Sequence, residues 1–171
     1  MTIPSYEEMM LPLLTLAGDK KIHTNQESLD FIINKFHINS NDAEILLKSG
    51  NQTLVSNRVA WARTYLRKAG LLVSEERATF TITELGLEVL QENPLKITDK
   101  YLMKFSDFQE FQKRHKPTKT NIGHSDETTK TPNELLEESY LTLRNELADE
   151  LLASISKCSP SFFERLVFVR P

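Results

Sequence analysis

The apolar residues of this chain change their spacing abruptly at Gly70. Over 56–69 they recur every three to four positions, which is the period of an α-helix with one buried face. After Gly70, short runs at 71–74 and 79–82 have the composition of β-strands and are separated by the polar sequence EERA. Because glycine commonly follows a helix end, the pattern predicts a helix that ends at Gly70 and leads into a β-hairpin. A further helix is predicted over 83–92.

Three more helices are predicted before the helix that ends at Gly70. We call that helix the basic helix, because residues 56–69 contain four basic side chains and no acidic one. Residues 40–47 have a short helical pattern, and Ser56 is expected to cap the helix that ends at Gly70. The first two helices begin with the spacing of a capping box, a hydroxyl residue followed three positions later by glutamate: Ser5 to Glu8 and Thr24 to Glu27. Three helices, a basic helix, a hairpin and a last helix are the order of a winged helix-turn-helix domain. The predicted fold is therefore mainly α with a small β-hairpin.

The predicted winged-helix domain occupies residues 1–94, and the segments after it differ in composition. Residues 95–115 carry aromatic residues near helical spacing and predict a helical extension. Residues 116–131 have no apolar period and predict a flexible linker. Residues 132–171 are predicted to form an amphipathic helical tail, because the sequence TPNE at 131–134 is a strong helix start.

The helical tail is predicted to add little stability. Its last helix, from Ser159, is short, and isolated helices of this length are marginal in water. The apolar face of that last helix consists of Phe162, Phe163, Leu166 and Val167. The longer helix before it has an apolar face of its own: Leu136, Tyr140, Leu143, Leu147 and Leu151. Such a face is typical of packing or self-association, so a homodimer through 132–171 is one expectation.

The rest of the sequence argues against several classes of protein and site. It has no run of about 18 apolar residues that would span a membrane, and the N-terminal MTIPSYEEMM lacks the pattern of a secretory signal. Cys158 is the single cysteine, the four histidines have no metal-ligand spacing, and the five glycines form no phosphate-binding loop. We therefore expect a soluble, cytoplasmic protein with no cofactor of its own.

Charge is segregated along a chain whose formal net charge is −3. Residues 45–74 carry five basic side chains and no acidic one, whereas 132–152 carry six acids and one base. Segregation of this kind is typical of parts with different partners. On a helical wheel of the basic helix, Val59, Ala62 and Leu66 fall on a buried stripe, and most polar and basic residues fall opposite.

The outward face of the basic helix suits a DNA major groove. Arginine can pair with guanine, asparagine with adenine, and a small alanine permits close approach. The alternative is a solvated helix face whose cations have no nucleic-acid partner. Trp61 fits equally a buried anchor or an exposed stacking surface, and Arg58, at the edge of the stripe, is expected to be structural. The predicted DNA-binding residues are Asn57, Ala60, Trp61, Arg63, Thr64, Arg67, Lys68 and Arg77.

Several stretches of the sequence resemble Mrr-type restriction endonucleases. Four of them, in order and spacing, are similar to the N-terminal domain of that family: PSYEEMMLPLL from Pro4, SGNQT from Ser49, NRVAWARTYLRKAGLL from Asn57 and FTITELG from Phe80. Two later ones resemble the segment that leads into its catalytic domain: TPNELLEESY from Thr131 and SPSFFERLV from Ser159. The resemblance implies a winged-helix domain that binds double-stranded DNA. It also implies a linked PD-(D/E)xK nuclease that uses Mg²⁺ and acts on modified, typically methylated, DNA.

The resemblance assigns no catalytic residue to this sequence. In the family, the catalytic acid and lysine lie beyond the FFERLV segment, and this sequence ends at Pro171. We therefore expect a truncated member that binds DNA without cutting it. Asp19 and Lys21 match an acid-x-lysine motif, but they follow a helix rather than lie on a strand, so we expect the match to be chance. The alternative to DNA binding is a protein-interaction or dimerisation module with the same fold.

Overall fold

The chain is mainly helical, with a small antiparallel sheet of three strands. The computed structural model describes residues 3–114, 130–159, 161, 162 and 164. The chain divides into two compact units, Met1–Asn133 and Glu134–Pro171. Its helices and strands follow in this order: α1 (Tyr6–Ala17), β1 (His23–Thr24), α2 (Asn25–Lys35), α3 (Ser40–Ala43), α4 (Leu54–Lys68), β2 (Leu72–Val73), β3 (Thr79–Ile82), α5 (Glu84–Gln91), α6 (Asp99–Leu102), α7 (Ser106–Arg114) and α8 (Pro132–Ile155).

The predicted starts of α1 and α2 are confirmed, and the predicted start of α4 is wrong. Ser5 and Thr24 each accept a hydrogen bond from the backbone N–H of the glutamate three residues later, whose side chain binds back, so both capping boxes form. The N-cap of α4 is Thr53 rather than Ser56, and the Thr53 hydroxyl accepts from the Ser56 backbone N–H at 3.3 Å. Thr53 also pairs with Leu46 in an isolated β-bridge, which holds it in the extended conformation of an N-cap.

The sheet contains the predicted hairpin and one additional strand. β3 lies between β1 and β2 and is antiparallel to both. In the hairpin, Leu72 of β2 lies opposite Ile82 of β3. On the other side, His23 of β1 lies opposite Phe80 of β3. The sequence does not predict β1, because a strand of two residues is too short to show an alternation of apolar and polar positions.

The core of the first unit is centred on α1 and α4. Both helices contribute fully buried side chains, among them Met9, Met10, Leu13 and Leu14 from α1, and Val55, Ala62 and Leu66 from α4. Ile97, Leu102 and Phe108, which follow the predicted domain end at residue 94, are also fully buried in this core. The first compact unit therefore includes α6 and α7, and the helical character predicted for 95–115 is present over both.

Two glycines allow the chain to pass closely from α4 to α5. Gly70 has a φ of 76°, the left-handed conformation predicted for the residue after the helix. A Cβ at Gly86 would lie 2.3 Å from the carbonyl oxygen of Leu71, far inside van der Waals contact. Glycine is therefore required at position 86 for α5 to pack against the segment that leaves α4.

The second unit consists largely of α8. This helix begins at Pro132, as the TPNE sequence predicts. Over the described part of the chain, none of its residues is buried. The predicted linker at 116–131, apart from Lys130 and Thr131, lies outside the described residues, as do Phe163, Leu166 and Val167 of the predicted last helix. Within the described ranges, no helix has the length and apolar character to cross a membrane.

Candidate nucleic-acid interface

α4 buries the face that its apolar spacing predicts. Val59, Ala62 and Leu66 lie in the core. At the edge of this face, the Arg58 guanidinium donates hydrogen bonds to the carbonyl oxygens of Ile3 at 2.8 Å and Pro4 at 3.0 Å. The expectation that Arg58 is structural is confirmed, because its charge is directed at the N-terminal backbone that precedes α1.

A groove of about 200 Å³ opens between α4, the start of α2 and the hairpin. We refer to it as the α4 groove. Four of the predicted DNA-binding residues line it: Ala60, Arg63, Thr64 and Arg67. The other wall is formed by α2 and the hairpin, through Asn25, Leu72, Ser74, Ala78, Thr79 and Phe80. The outward face of α4 is therefore centred on Ala60, Thr64 and Arg67, and these residues form one wall of a cleft rather than part of a flat surface.

Arg63 is held firmly at the wall of the α4 groove. Its guanidinium donates to the side-chain oxygen of Asn25 and lies over the ring of Phe80, 5.8 Å from the centroid. Its Nε is buried and has no hydrogen-bond partner among the described residues. Burial, followed by repulsion from Arg67, lowers the pKa of Arg63 to about 10, so the side chain stays charged at neutral pH. A partly desolvated cation of this kind favours an anionic partner.

Arg67 and Arg77 are the more accessible cations near the α4 groove. Both are exposed; Arg67 is in the last turn of α4 and Arg77 in the turn between β2 and β3. Ala78, next to Arg77, lines the groove and has a φ of 64°. Glu75 and Glu76 are exposed in the same turn, so the tip of the hairpin carries both signs of charge.

The predicted outward position of Asn57 is wrong. Asn57 is 1% exposed, its Nδ2 donates to Gln52 at 3.4 Å, and its Oδ1 accepts from the Thr131 hydroxyl at 2.7 Å. Thr131 is itself fully buried and covers the side of α4 that the helical wheel leaves open. A wheel drawn from one helix cannot include a residue 74 positions away along the chain. The amide of Asn57 is thus occupied inside the protein.

Trp61 and Lys68 lie on the α7 side of α4. The Trp61 ring is half-buried and packs edge-on against Tyr65, with 5.6 Å between centroids, so of the two interpretations the structure favours the anchor. The Lys68 ammonium lies over the ring of Phe111, 5.3 Å from the centroid, and its side chain remains exposed. Neither residue lines the α4 groove. Phe108 and Phe111 of α7 pack against this side of α4, which therefore faces α7 and not the α4 groove.

We expect Asn57→Ala to lower the free energy of unfolding by about 1–3 kcal/mol, because the buried Thr131 hydroxyl loses this acceptor. Thr131→Val removes the donor while keeping the shape of the side chain. Urea unfolding of both single variants and the double variant measures the coupling between them, and the double variant should lose less than the sum. Strictly additive losses would show that the hydrogen bond does not form in solution.

Sequence reasoning misses the wall of the α4 groove that α2 and the hairpin supply. Asn25 directly follows the capping Thr24, so its sequence position indicates a helix start rather than a site. Phe80 lies in an apolar strand pattern, which indicates a core residue. The detectable signal was the repeated hydroxyl residues of the hairpin, Ser74 and Thr79 among them. The Ser74 hydroxyl donates a hydrogen bond within the hairpin, to the Thr79 carbonyl oxygen at 2.7 Å.

The acid-x-lysine match at 19–21 has a structural role. Asp19 accepts hydrogen bonds from the Lys21 backbone N–H at 2.9 Å and from the His23 ring at 2.8 Å. These contacts, with the Lys21 bond first, lower the pKa of Asp19. The group forms the turn that leads into β1, not a strand edge. Among the described residues, no set of three or more histidine, cysteine or acidic side chains is arranged to hold a metal ion.

Comparisons with known proteins agree with the resemblance seen in the sequence. Residues 6–92 match the family model described as the Mrr N-terminal domain. The type IV methyl-directed restriction enzyme EcoKMrr of Escherichia coli (strain K12) is 24% identical over 176 residues, which cover 98% of this chain and 58% of that protein. The chain thus spans little more than half the length of this relative. No solved structure matches the chain. Because the family model covers more than half of its residues, the chain belongs to the Mrr N-terminal domain family.

Proposed function

We propose that the first unit is a winged helix-turn-helix domain that binds double-stranded DNA through the α4 groove. The order helix, strand, three helices (of which α3 is a single short turn) and hairpin, with β3 central in the sheet, supports this fold. In such a domain α4 is the helix presented to the DNA and the β2–β3 hairpin is the wing. The observation that carries the proposal is the α4 groove, where Arg63 and Arg67 line one cleft on a helix without acidic residues.

The residues of the α4 groove divide the work of binding. Arg67 and Arg77 are exposed and reach phosphates, so they supply affinity that depends on salt. Ala60 and Thr64 are small and let the backbone of α4 approach the base edges. Arg63 is already oriented by Asn25 and Phe80, so less freedom is lost when it meets an anion. Asn57, Trp61 and Lys68 are outside this set.

We also propose that the chain is the DNA-reading part of a restriction system. The family and the name of the E. coli relative support this role, and the same name suggests methylated DNA as the target. DNA binding is the activity that the described residues supply. Cleavage would need acidic and lysine side chains on a strand edge, and the three short strands described here present no such set.

Binding to DNA should depend steeply on salt. If Arg63, Arg67 and Arg77 displace counterions, a plot of log K against log salt should have a slope of about −3. Fluorescence anisotropy with a labelled duplex of about 20–30 base pairs measures the binding constant between about 50 and 200 mM salt. Paired duplexes with and without methylated bases separate general affinity from methyl recognition. Affinity that does not change with salt would overturn the proposal.

Arg67→Ala should weaken DNA binding roughly tenfold at low salt and reduce the magnitude of the salt slope by about 1, because one phosphate contact is lost. Arg114→Ala is the matched control: it removes the same charge from α7, where Arg114 pairs with Glu110 on the exposed surface at 3.4 Å. The control should bind like the unchanged protein, and both variants should keep its melting temperature. Equal losses in the two variants would show that α4 has no special role.

A further inference from the structure

The apolar side chains of α8 form an exposed stripe. Leu136, Tyr140, Leu143 and Leu147 are 71, 63, 65 and 56% exposed, respectively. Their spacings of four, three and four residues place them on one side of the helix, in the seam of a two-stranded coiled coil. The seam extends about 16 Å along the helix. A solvated stripe of this size is typical of an interaction surface rather than of a finished fold.

These four positions are symmetrical about their own midpoint; Leu151, which is 53% exposed, continues the same side of α8 beyond them. The spacings read four, three, four from either end, so they match those of the same helix turned around. When two copies of α8 lie antiparallel, Leu136 faces the partner's Leu147 and Tyr140 faces the partner's Leu143. Four layers then form, and each contains at least one leucine. A parallel pair would instead stack the two Tyr140 rings on one another.

The charges beside the stripe favour the antiparallel arrangement. Glu137 and Arg144 occupy the same flank, seven residues and thus two turns apart. In an antiparallel pair, Glu137 of each chain lies opposite the partner's Arg144, so two ion pairs form by symmetry. In a parallel pair these groups are separated by about 10 Å along the axis. Arg144 is the only base among the six acids of 132–152, which makes its place opposite Glu137 informative.

We propose that α8 is a self-association surface that binds a second copy of this chain as an antiparallel helix pair. The inference uses only residues of the second unit and does not depend on DNA binding. The occupant is a second copy rather than an unrelated helix, because both the apolar spacing and the flanking charges of α8 complement α8 itself. A seam of four layers predicts a reversible dimer with a Kd in the micromolar range, on the order of 1–100 µM.

Charge reversal tests the orientation. Glu137→Arg and Arg144→Glu each replace two attractive contacts with two repulsive ones across the symmetry axis, so each should weaken the homodimer roughly tenfold. The double variant should return to within about twofold of the unchanged protein. An equimolar mixture of the two single variants should associate at least as tightly as the unchanged protein, because all facing charges are then opposite.

Sedimentation equilibrium of the nucleic-acid-free full chain, at about 1–200 µM and low salt, measures these constants. Glu138→Arg is the matched control, since it makes the same charge change one position farther round α8 and should leave the Kd within about twofold. Leu143→Glu should abolish the dimer while the melting temperature of the first unit stays unchanged. A monomer at every concentration would overturn the proposal. So would a dimer that Glu137→Arg and Glu138→Arg weaken equally, or a mixture that gains nothing over the single variants.

Discussion

Phe108→Ala should lower the free energy of unfolding by about 3–5 kcal/mol, although Phe108 lies outside the residues that match the family. The side chain is fully buried and packs edge-on against Tyr65 of α4, with 5.4 Å between ring centroids. Its ring also packs against that of Phe111, with 6.0 Å between centroids. Its removal takes away both a large buried apolar surface and the support for the α7 side of α4. Because domains of this size have about 5–15 kcal/mol of stability in total, the variant should lose a large part of that stability.

Met103→Ala is the control for that measurement. Met103 lies in the same segment, between α6 and α7, and is exposed, so its truncation should change the stability by no more than about 0.5 kcal/mol. Urea unfolding followed by circular dichroism compares the two variants with the unchanged protein. If Phe108→Ala behaved like Met103→Ala, α7 would not be part of the folded core in solution.

Asp99 should make the stability of the first unit fall as the pH rises from about 4 to about 6. Burial raises the pKa of Asp99 to about 6, opposed by the hydrogen bond from the Tyr6 hydroxyl and assisted by the charge of Glu7. One carboxyl oxygen of Asp99 is buried without a partner among the described residues. The folded state therefore binds a proton more tightly than the unfolded state does. Stability is full below the unfolded pKa of about 4 and is lost as the pH rises through 6.

The loss from this one group should reach about 3 kcal/mol, since a shift of about two pKa units corresponds to that energy. Asp99→Asn keeps an acceptor for the Tyr6 hydroxyl and cannot ionise. The free energy of unfolding of both proteins is measured at about pH 4, 5, 6 and 7. The difference between the two proteins at each pH reports Asp99 alone, because the histidines contribute equally to both. The variant should gain on the unchanged protein as the pH rises. A difference that is constant with pH would mean that Asp99 is solvated.

The local signals of the sequence predict the elements well, and the tertiary contacts decide the rest. The capping boxes at Ser5 and Thr24 act within one turn of the chain, so sequence alone reveals them. The hairpin follows in the same way from Gly70 and the change of apolar period. The start of α4 is different, because the bridge between Leu46 and Thr53 shapes the cap, and β1 exists only through its pairing with β3.

The candidate site shows the same division. The wheel predicts the side of α4 that faces the core, and it identifies Ala60, Arg63, Thr64 and Arg67, which the structure brings together. It fails at Asn57, where a distant threonine covers the helix. A pattern along one helix reveals which residues are apolar. It does not reveal which other segments return to cover the remaining surface.

The buried hydrogen bond between Asn57 and Thr131 has a practical consequence for the choice of expression fragments. The family match ends at residue 92, well before the end of the first compact unit, and a protein cut there would lose Phe108 and would leave the Asn57 amide open to solvent. A cut at 115 would keep the aromatic cluster and still remove Thr131. Fragments meant for crystallisation or for DNA-binding assays should therefore extend through Asn133, where the first compact unit ends.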